Sequence, residues 1–234
     1  GVGGASCPED LRAEYERRFG QTFTTGYGLT EAPTAVAQET ERYPHVAGAS
    51  GRPMAHVTLT ITDVDGHPVA LGEEGEICVG PATTGPWAGE WRGMHGYWKR
   101  PDDTAAARWG PLLRTGDIGY LGDDGYLRVL DRRTDLVNRG GANVYPAEVV
   151  RVLLEHPAVD DAYVFGRPHE RLGQEVAAAV TLRPSTTASV DELRLHCRER
   201  LSGYKVPSVL AVVDELPRNA LGKVDRARAA DLVG

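Results

Sequence analysis

Several short segments carry residue types that could do chemistry. In Gly26-Tyr27-Gly28-Leu29-Thr30-Glu31, two glycines let a backbone turn sharply and approach a ligand. The hydroxyl of Thr30 and the carboxylate of Glu31 suit a phosphate oxygen and its Mg²⁺, and Tyr27 offers a ring to a base. The competing reading is a tight strand-to-loop turn with incidental polar residues; on these residues alone it is the stronger one. In Arg114-Thr115-Gly116-Asp117 the carboxylate could take both hydroxyls of a ribose, or the segment is an exposed turn. Gly140-Gly141, inside 132–148, marks a close backbone approach to a ligand or a plain hairpin. Lys223 closes Pro217-Arg218-Asn219-Ala220-Leu221-Gly222-Lys223. Alone it reads as a solvated surface charge. Delivered into a site, its ammonium would stabilise charge developing on phosphate and carboxylate oxygens.

These segments need elements to hold them. Ser6-Cys7-Pro8-Glu9-Asp10 opens a helix on which Leu11, Tyr15 and Phe19 recur at helical spacing before Gly20 ends it. A strand-like stretch, 22–25, runs into the first glycine turn. From 48 to 131 short strands alternate with turn signals. Residues 57–61 alternate, Asp65-Gly66 is a hairpin turn, 75–80 is a strand, and Asp124-Gly125 separates 118–121 from 126–130. This spacing predicts a small β-barrel or sandwich, with 81–96, rich in Gly, Pro and Trp, as a surface loop.

After Asp131-Arg132-Arg133-Thr134-Asp135 the pattern changes. Pro146 starts a helix with Val149, Val150, Leu153 and Leu154 on one face, and Pro157 closes it. Strands follow at 162–165 and 175–182. Ser189-Val190-Asp191-Glu192 is a capping box opening a helix to about Leu201. A strand over 206–213 and a helix over 224–232 complete a compact α+β module. The domain boundary falls near Arg132.

The 234 residues suffice for one large domain or two modest ones. A net charge of −7 argues against a nucleic-acid groove. No run is long enough to span a bilayer, and the N-terminus has neither a signal-peptide pattern nor an initiator Met. Cys7, Cys78 and Cys197 are an odd, scattered set, which fits a reducing cytoplasm and predicts neither disulfides nor a structural zinc site.

Taken in order, from Gly3-Gly4-Ala5 to Lys223, the motifs resemble those of the adenylate-forming (AMP-binding) superfamily of acyl-CoA synthetases, peptide-synthetase adenylation domains and luciferases. The resemblance implies the end of a large α/β N-terminal domain over 1–131, a partial sheet followed by a small β-barrel, and a mobile α+β C-terminal lid over 132–234. It implies ATP, Mg²⁺ and coenzyme A as cofactors and a small carboxylic acid as substrate. The acid would attack the α-phosphate of ATP, and a thiol would then displace AMP. Gly4 and Ala5 would line the adenine pocket, with Tyr27 against the base and Gly28 admitting the ligand. Thr30 would hold phosphate, Glu31 would bind Mg²⁺, and Asp117, assisted by Arg132, would hold the ribose. Lys223 would bridge carboxylate, α-phosphate and ribose. Thr134, where relatives most often carry Asp or Lys, would be the hinge about which Gly140-Gly141 arrives to form the pantetheine tunnel.

The stretches Asn138-Arg139-Gly140-Gly141-Ala142-Asn143-Val144-Tyr145-Pro146 and 197–207 favour CoA over a carrier-protein thiol. Asn138 stands where many relatives carry Lys. The family's Ser/Thr/Gly-rich phosphate loop ending in Pro-Lys-Gly is not in the sequence. The expectation is therefore a piece or split half of an acid–CoA ligase. It would need a complementary N-terminal half and be inactive alone. The alternative is a non-catalytic product that binds nucleotide or protein. Oligomeric state and the identity of the acid are not written in these residues.

Overall fold

A computed structural model of the chain describes residues 2–3, 7, 9–220 and 224–233. Of the residues singled out above, Gly4, Ala5, Ser6, Pro8 and Lys223 lie outside this set. The chain divides into two units, Gly1–Arg133 and Thr134–Gly234.

The first unit opens with β1 (Val2–Gly3), α1 (Glu9–Phe19), β2 (Thr25–Leu29), β3 (Ala32–Gln38) and β4 (Arg52–Pro53), in sheet order β1-β2-β3-β4. Strands β1 and β2 are parallel, so they need a crossover, and α1 supplies it. Arg17 and Arg18 in its last turn suit the helix dipole. Gly20, at φ 61°, donates its N–H to the Glu16 carbonyl and ends it. The apolar row that marks this helix in the sequence, Leu11, Tyr15 and Phe19, is exposed. What α1 buries is Arg12, 5% exposed, against Glu39, 2% exposed.

A second sheet holds β5 (Val57–Thr62), β6 (Gly75–Pro81), β7 (Arg108–Trp109), β8 (Leu112–Leu121) and β9 (Leu127–Arg132); a short helix, α2 (Pro101–Ala106), precedes β7. The order is β5-β6-β8-β7, with β9 also on β8, and every pairing is antiparallel. The small barrel expected here is not closed among the described residues. The free edge of β8 is shared, β7 taking Leu112 and Leu113 and β9 taking 117–121, and neither strand returns to β5. Ile77, Val79, Leu113 and Leu127 from this sheet pack with Ala32, Val36 and Ala37 from the first, so one core serves both.

Gly51 sits where the sheets meet, at φ 90°. Its carbonyl accepts the Leu127 N–H, and a Cβ there would fall 2.1 Å from the Gln38 carbonyl carbon. Gly51→Ala is therefore expected to destabilise the first unit by at least about 2 kcal/mol, through strain and overpacking together. Urea denaturation of the whole chain measures it.

The second unit contains β10 (Val137–Arg139), β11 (Ala142–Val144), α3 (Pro146–Leu154), β12 (Val159–His169), β13 (Gly173–Leu182), α4 (Val190–Arg198), β14 (Val209–Val212) and α5 (Arg226–Asp231). The sheet runs β11-β10-β13-β12, with β14 parallel to β13. Strand β13 is apolar on both faces because both are covered. Val176, Ala178 and Val180 meet Val149, Val152, Leu153 and Leu193 of α3 and α4, while Ala177 and Ala179 meet Leu216 and Val233. Pro146 opens α3 and the Ser189–Glu192 capping box opens α4, both as the sequence predicts. No described helix is long and apolar enough to cross a membrane.

Candidate active site

The first motif is not the loop its glycines suggested. Gly26, Tyr27, Gly28 and Leu29 belong to β2, and only Thr30 and Glu31 form the turn, because Leu29 already pairs with Ala32 of β3. The glycines give clearance within the sheet. A Cβ on Gly26 would lie 3.1 Å from the Ala37 carbonyl oxygen, and one on Gly28 would lie 3.2 Å from that of Thr34. Thr30 is exposed at the turn.

Strand placement brings Tyr27 to the second motif. Its phenol donates to Oδ2 of Asp117 at 2.6 Å, across 90 residues of sequence. Burial, reinforced by the adjacent Asp117 carboxylate, holds the Tyr27 phenol well above its ordinary pKa, so it stays a donor. Asp117 is 6% exposed on β8. It faces Arg132 across the hairpin with β9, and the Arg132 Nε lies 3.2 Å from Oδ1. A phenol and a guanidinium thus fix the carboxylate from two sides. An ionised carboxylate has two oxygens and about four lone-pair sites, the kind of acceptor that a diol requires.

The segment before Asp117 is equally built. Thr115 Oγ1 donates to the Ile77 carbonyl at 2.8 Å and accepts the Asp117 N–H at 3.0 Å. Gly116, at φ 73°, sends its N–H to Glu76 Oε1 at 3.2 Å. Glu76 is buried and held by Arg114 Nη2 at 2.6 Å and Arg133 Nη1 at 3.5 Å. Sequence reasoning missed Glu76, since a glutamate in a strand carries no signal until its partner strand is known.

Glu31 has a different neighbour: Tyr97 donates to its Oε1 at 2.9 Å. Burial first, then the Glu31 carboxylate, raises the Tyr97 pKa. Tyr97 falls just after the stretch expected to be a loop, and α2 after it was not foreseen. This stretch lines an open cleft of about 510 Å³ with His95, Trp98, Lys99 and Arg108.

In the second unit Gly140 and Gly141, at φ 62° and 88°, form the two-residue turn between β10 and β11. Both positions need positive φ, which is the demand of a tight hairpin. The side chain of Asn138 steadies it, accepting the Gly141 N–H at 3.0 Å. Thr134 is the first residue of the unit, and its hydroxyl donates to Asp135 at 3.0 Å. The structure thus joins Tyr27, Asp117 and Arg132 in one cluster and Glu31 with Tyr97 in another, both in the first unit. Gly140, Gly141 and Thr134 belong to the second.

The donor sets suit the groups the motifs implied. Mg²⁺ favours one or two carboxylates together with substrate phosphates, and Glu31 offers one carboxylate that receives, among the described residues, a hydrogen bond from Tyr97 alone. For a nucleotide, the fixed Asp117 carboxylate is the acceptor a sugar diol needs.

This is a mixed α/β protein whose first unit gathers carboxylates and hydroxyls in one candidate site, with an α+β second unit. A family model described as AMP-binding enzyme matches residues 1–98, and one described as AMP-binding enzyme C-terminal domain matches 148–223. The chain belongs to this adenylate-forming, AMP-binding family. It is 43% identical, over 99% of its length, to the 2-succinylbenzoate–CoA ligase of Geobacillus kaustophilus, and 35% identical, over 98%, to the long-chain-fatty-acid–CoA ligase of Yersinia pestis. It spans 45% and 39% of those proteins, respectively. Among solved structures it resembles the o-succinylbenzoate CoA synthetase of Bacillus subtilis in complex with its acyl-adenylate intermediate, with TM-score 0.82 and 36% identity over 97% of this chain and 44% of that one. ATP-bound MatB from Rhodopseudomonas palustris gives TM-score 0.84 at 30% identity, covering 98% of this chain and 44% of that one.

Proposed function

We propose that the chain supplies the second half of an AMP-forming acid–CoA ligase. The observation that carries this is the Tyr27–Asp117–Arg132 cluster, a buried carboxylate on one strand fixed by residues from two others in a chain of the AMP-binding family.

A carboxylate oxygen of the acid attacks the α-phosphorus of ATP, and the bond to pyrophosphate breaks, giving an acyl-adenylate. The thiol sulfur of coenzyme A then attacks the acyl carbon, its proton is lost, and AMP leaves with the electron pair of the broken bond. In this reading Asp117, braced by Tyr27 and Arg132, accepts the ribose hydroxyls. Gly4, Ala5 and the Tyr27 ring border the base, beside Gly28. Thr30 donates to a phosphate oxygen, and Glu31 would hold Mg²⁺, which would supply charge neutralisation at the phosphates. Lys223 bridges the reacting oxygens. Residues 1–131 close the large domain and 132–234 form the lid. The lid turns about Thr134 to exchange Lys223 for the Gly140-Gly141 hairpin, along which the pantetheine arm lies.

The names of the relatives span succinylbenzoate and long-chain fatty acids, so the substrate class supported is a carboxylic acid. Cys78 and Cys197 as thiols, together with the need for ATP and CoA, fit the cytoplasm. Coenzyme A is favoured over a carrier-protein thiol, and comparing the two as acceptors separates these readings.

The test is acid-dependent ATP–pyrophosphate exchange across a panel of acids. The chain together with a complementary region bearing the phosphate loop is expected to catalyse it, and the 234 residues alone are not. No exchange from the combined protein with any acid would leave only the nucleotide- or protein-binding reading. In the combined protein Asp117→Asn is expected to weaken nucleotide binding by tenfold or more, since a hydrogen bond to a charged group contributes about 1.5–3 kcal/mol. Equilibrium binding of a fluorescent ATP analogue checks it.

A further inference from the structure

We infer that Tyr97 is a positioning residue that sets the orientation of the Glu31 carboxylate for a divalent cation bound with nucleotide. This rests on the proposed role of Glu31 and adds a residue outside the segments singled out in the sequence.

Glu31 occupies a two-residue turn, a place where a side chain is ordinarily free to sample rotamers. Here it is clamped twice by one stretch of chain. Its carbonyl accepts the Met94 N–H at 2.8 Å, and its Oε1 accepts the Tyr97 hydroxyl at 2.9 Å. The clamp is itself fixed. The Tyr97 N–H donates to Thr104 Oγ1 at 2.9 Å, and that hydroxyl donates to the Arg100 carbonyl at 2.8 Å. Gly96, at φ 153°, lets the chain pass so close to α2 that a Cβ would lie 2.6 Å from Thr104 Cγ2. Upstream, Trp91 is 8% exposed and its Nε1–H reaches the Pro33 carbonyl at 3.4 Å. The arm from 91 to 97 is therefore anchored on β3 at one end and on α2 at the other, with Glu31 between.

With Oε1 committed to the phenol, Oε2 is the oxygen that receives no hydrogen bond from any described residue. That arrangement favours one monodentate contact with a hard cation whose other ligands are water and phosphate. Partners that orient a ligating carboxylate typically account for 10–100-fold in metal affinity.

The experiment uses the combined protein and Mn²⁺ as a spectroscopic stand-in, with free Mn²⁺ measured by electron paramagnetic resonance in the presence of ATP. Tyr97→Phe keeps the ring and removes the hydroxyl. It is expected to weaken Mn²⁺ binding about tenfold, with ATP affinity in the absence of metal unchanged. In a Glu31→Gln background the same change should add less than about twofold, because its route is gone. Unchanged Mn²⁺ affinity in Tyr97→Phe, or the same loss with and without Glu31, overturns the inference. A Glu31→Gln variant that binds Mn²⁺ normally would instead overturn the assignment of Glu31 to the metal, and the role of Tyr97 with it. Normal Mn²⁺ behaviour without exchange would count against the ligase reading alone.

Discussion

Lys223→Ala, made in the combined protein, is expected to lower acid-dependent ATP–pyrophosphate exchange by about 10²–10³-fold, the typical loss when one preorganised charge-stabilising group is removed. Thioester formation from preformed acyl-adenylate should be largely spared. Lys223 lies outside the described residues; residues 217–220 before it and 224–225 after it are described. Arg218 forms a β-bridge with Val224, and the Asp225 N–H donates to the Pro217 carbonyl at 2.8 Å. Residues 217–218 are thus paired with 224–225. Asp225 also caps α5 by accepting the Arg228 N–H at 3.3 Å, and Arg226 pairs with Asp135. Single-turnover measurement of each half-reaction separates the outcomes, and equal loss in both would overturn the exchange of Lys223 for the Gly140-Gly141 hairpin.

How much of this was legible depended on whether a residue's role was local. The capping box at Ser189, Pro146 at the head of α3 and the Asp124-Gly125 turn use neighbours within a few positions, and all stand where the sequence placed them. Asp117 and Arg132 flank that same turn, so their pairing follows from the hairpin register. Strand β3 escaped because Ala-Pro-Thr-Ala-Val-Ala-Gln has no β pattern of its own; its neighbours β2 and β4 hold it. Helix α2 buries no side chain and gives no periodic signal. The barrel was over-read because turn spacing shows where strands end but not which edges meet. Tyr27 with Asp117, and Glu31 with Tyr97, are contacts between segments 90 and 66 residues apart. Each motif was visible in the sequence, and the geometry joining them was not.

Arg12 gives no signal in the sequence, and the largest stability effect is expected there. On an exposed helix it would be one of several solvated charges, yet its side chain is 6% exposed and that of Glu39 2%, with Nη2 2.8 Å from Oε2. The Thr25 N–H donates to the same carboxylate oxygen at 2.7 Å, and His45 Nδ1 lies 2.7 Å from the other. Arg12 also donates to the Phe23 carbonyl. Glu39→Gln or Arg12→Ala is therefore expected to destabilise the first unit by about 3–5 kcal/mol, because each leaves a buried charge without its counter-charge. The double variant should cost less than the sum. Burial alone would raise the Glu39 pKa, but the hydrogen bonds from His45, Thr25 and Arg12 outweigh it and the net shift is downward. A carboxyl depressed in the folded state contributes stability that is full above its unfolded pKa, about 4.3, and is lost as pH falls through the lower folded value. Urea denaturation from pH 7 to pH 3 should thus show a steeper acid limb in the parent chain than in Glu39→Gln. A Glu39→Gln cost below about 1 kcal/mol, the range of exposed pairs, with an unchanged acid limb, would show that water reaches this pair and that α1 is held to its sheet by something else.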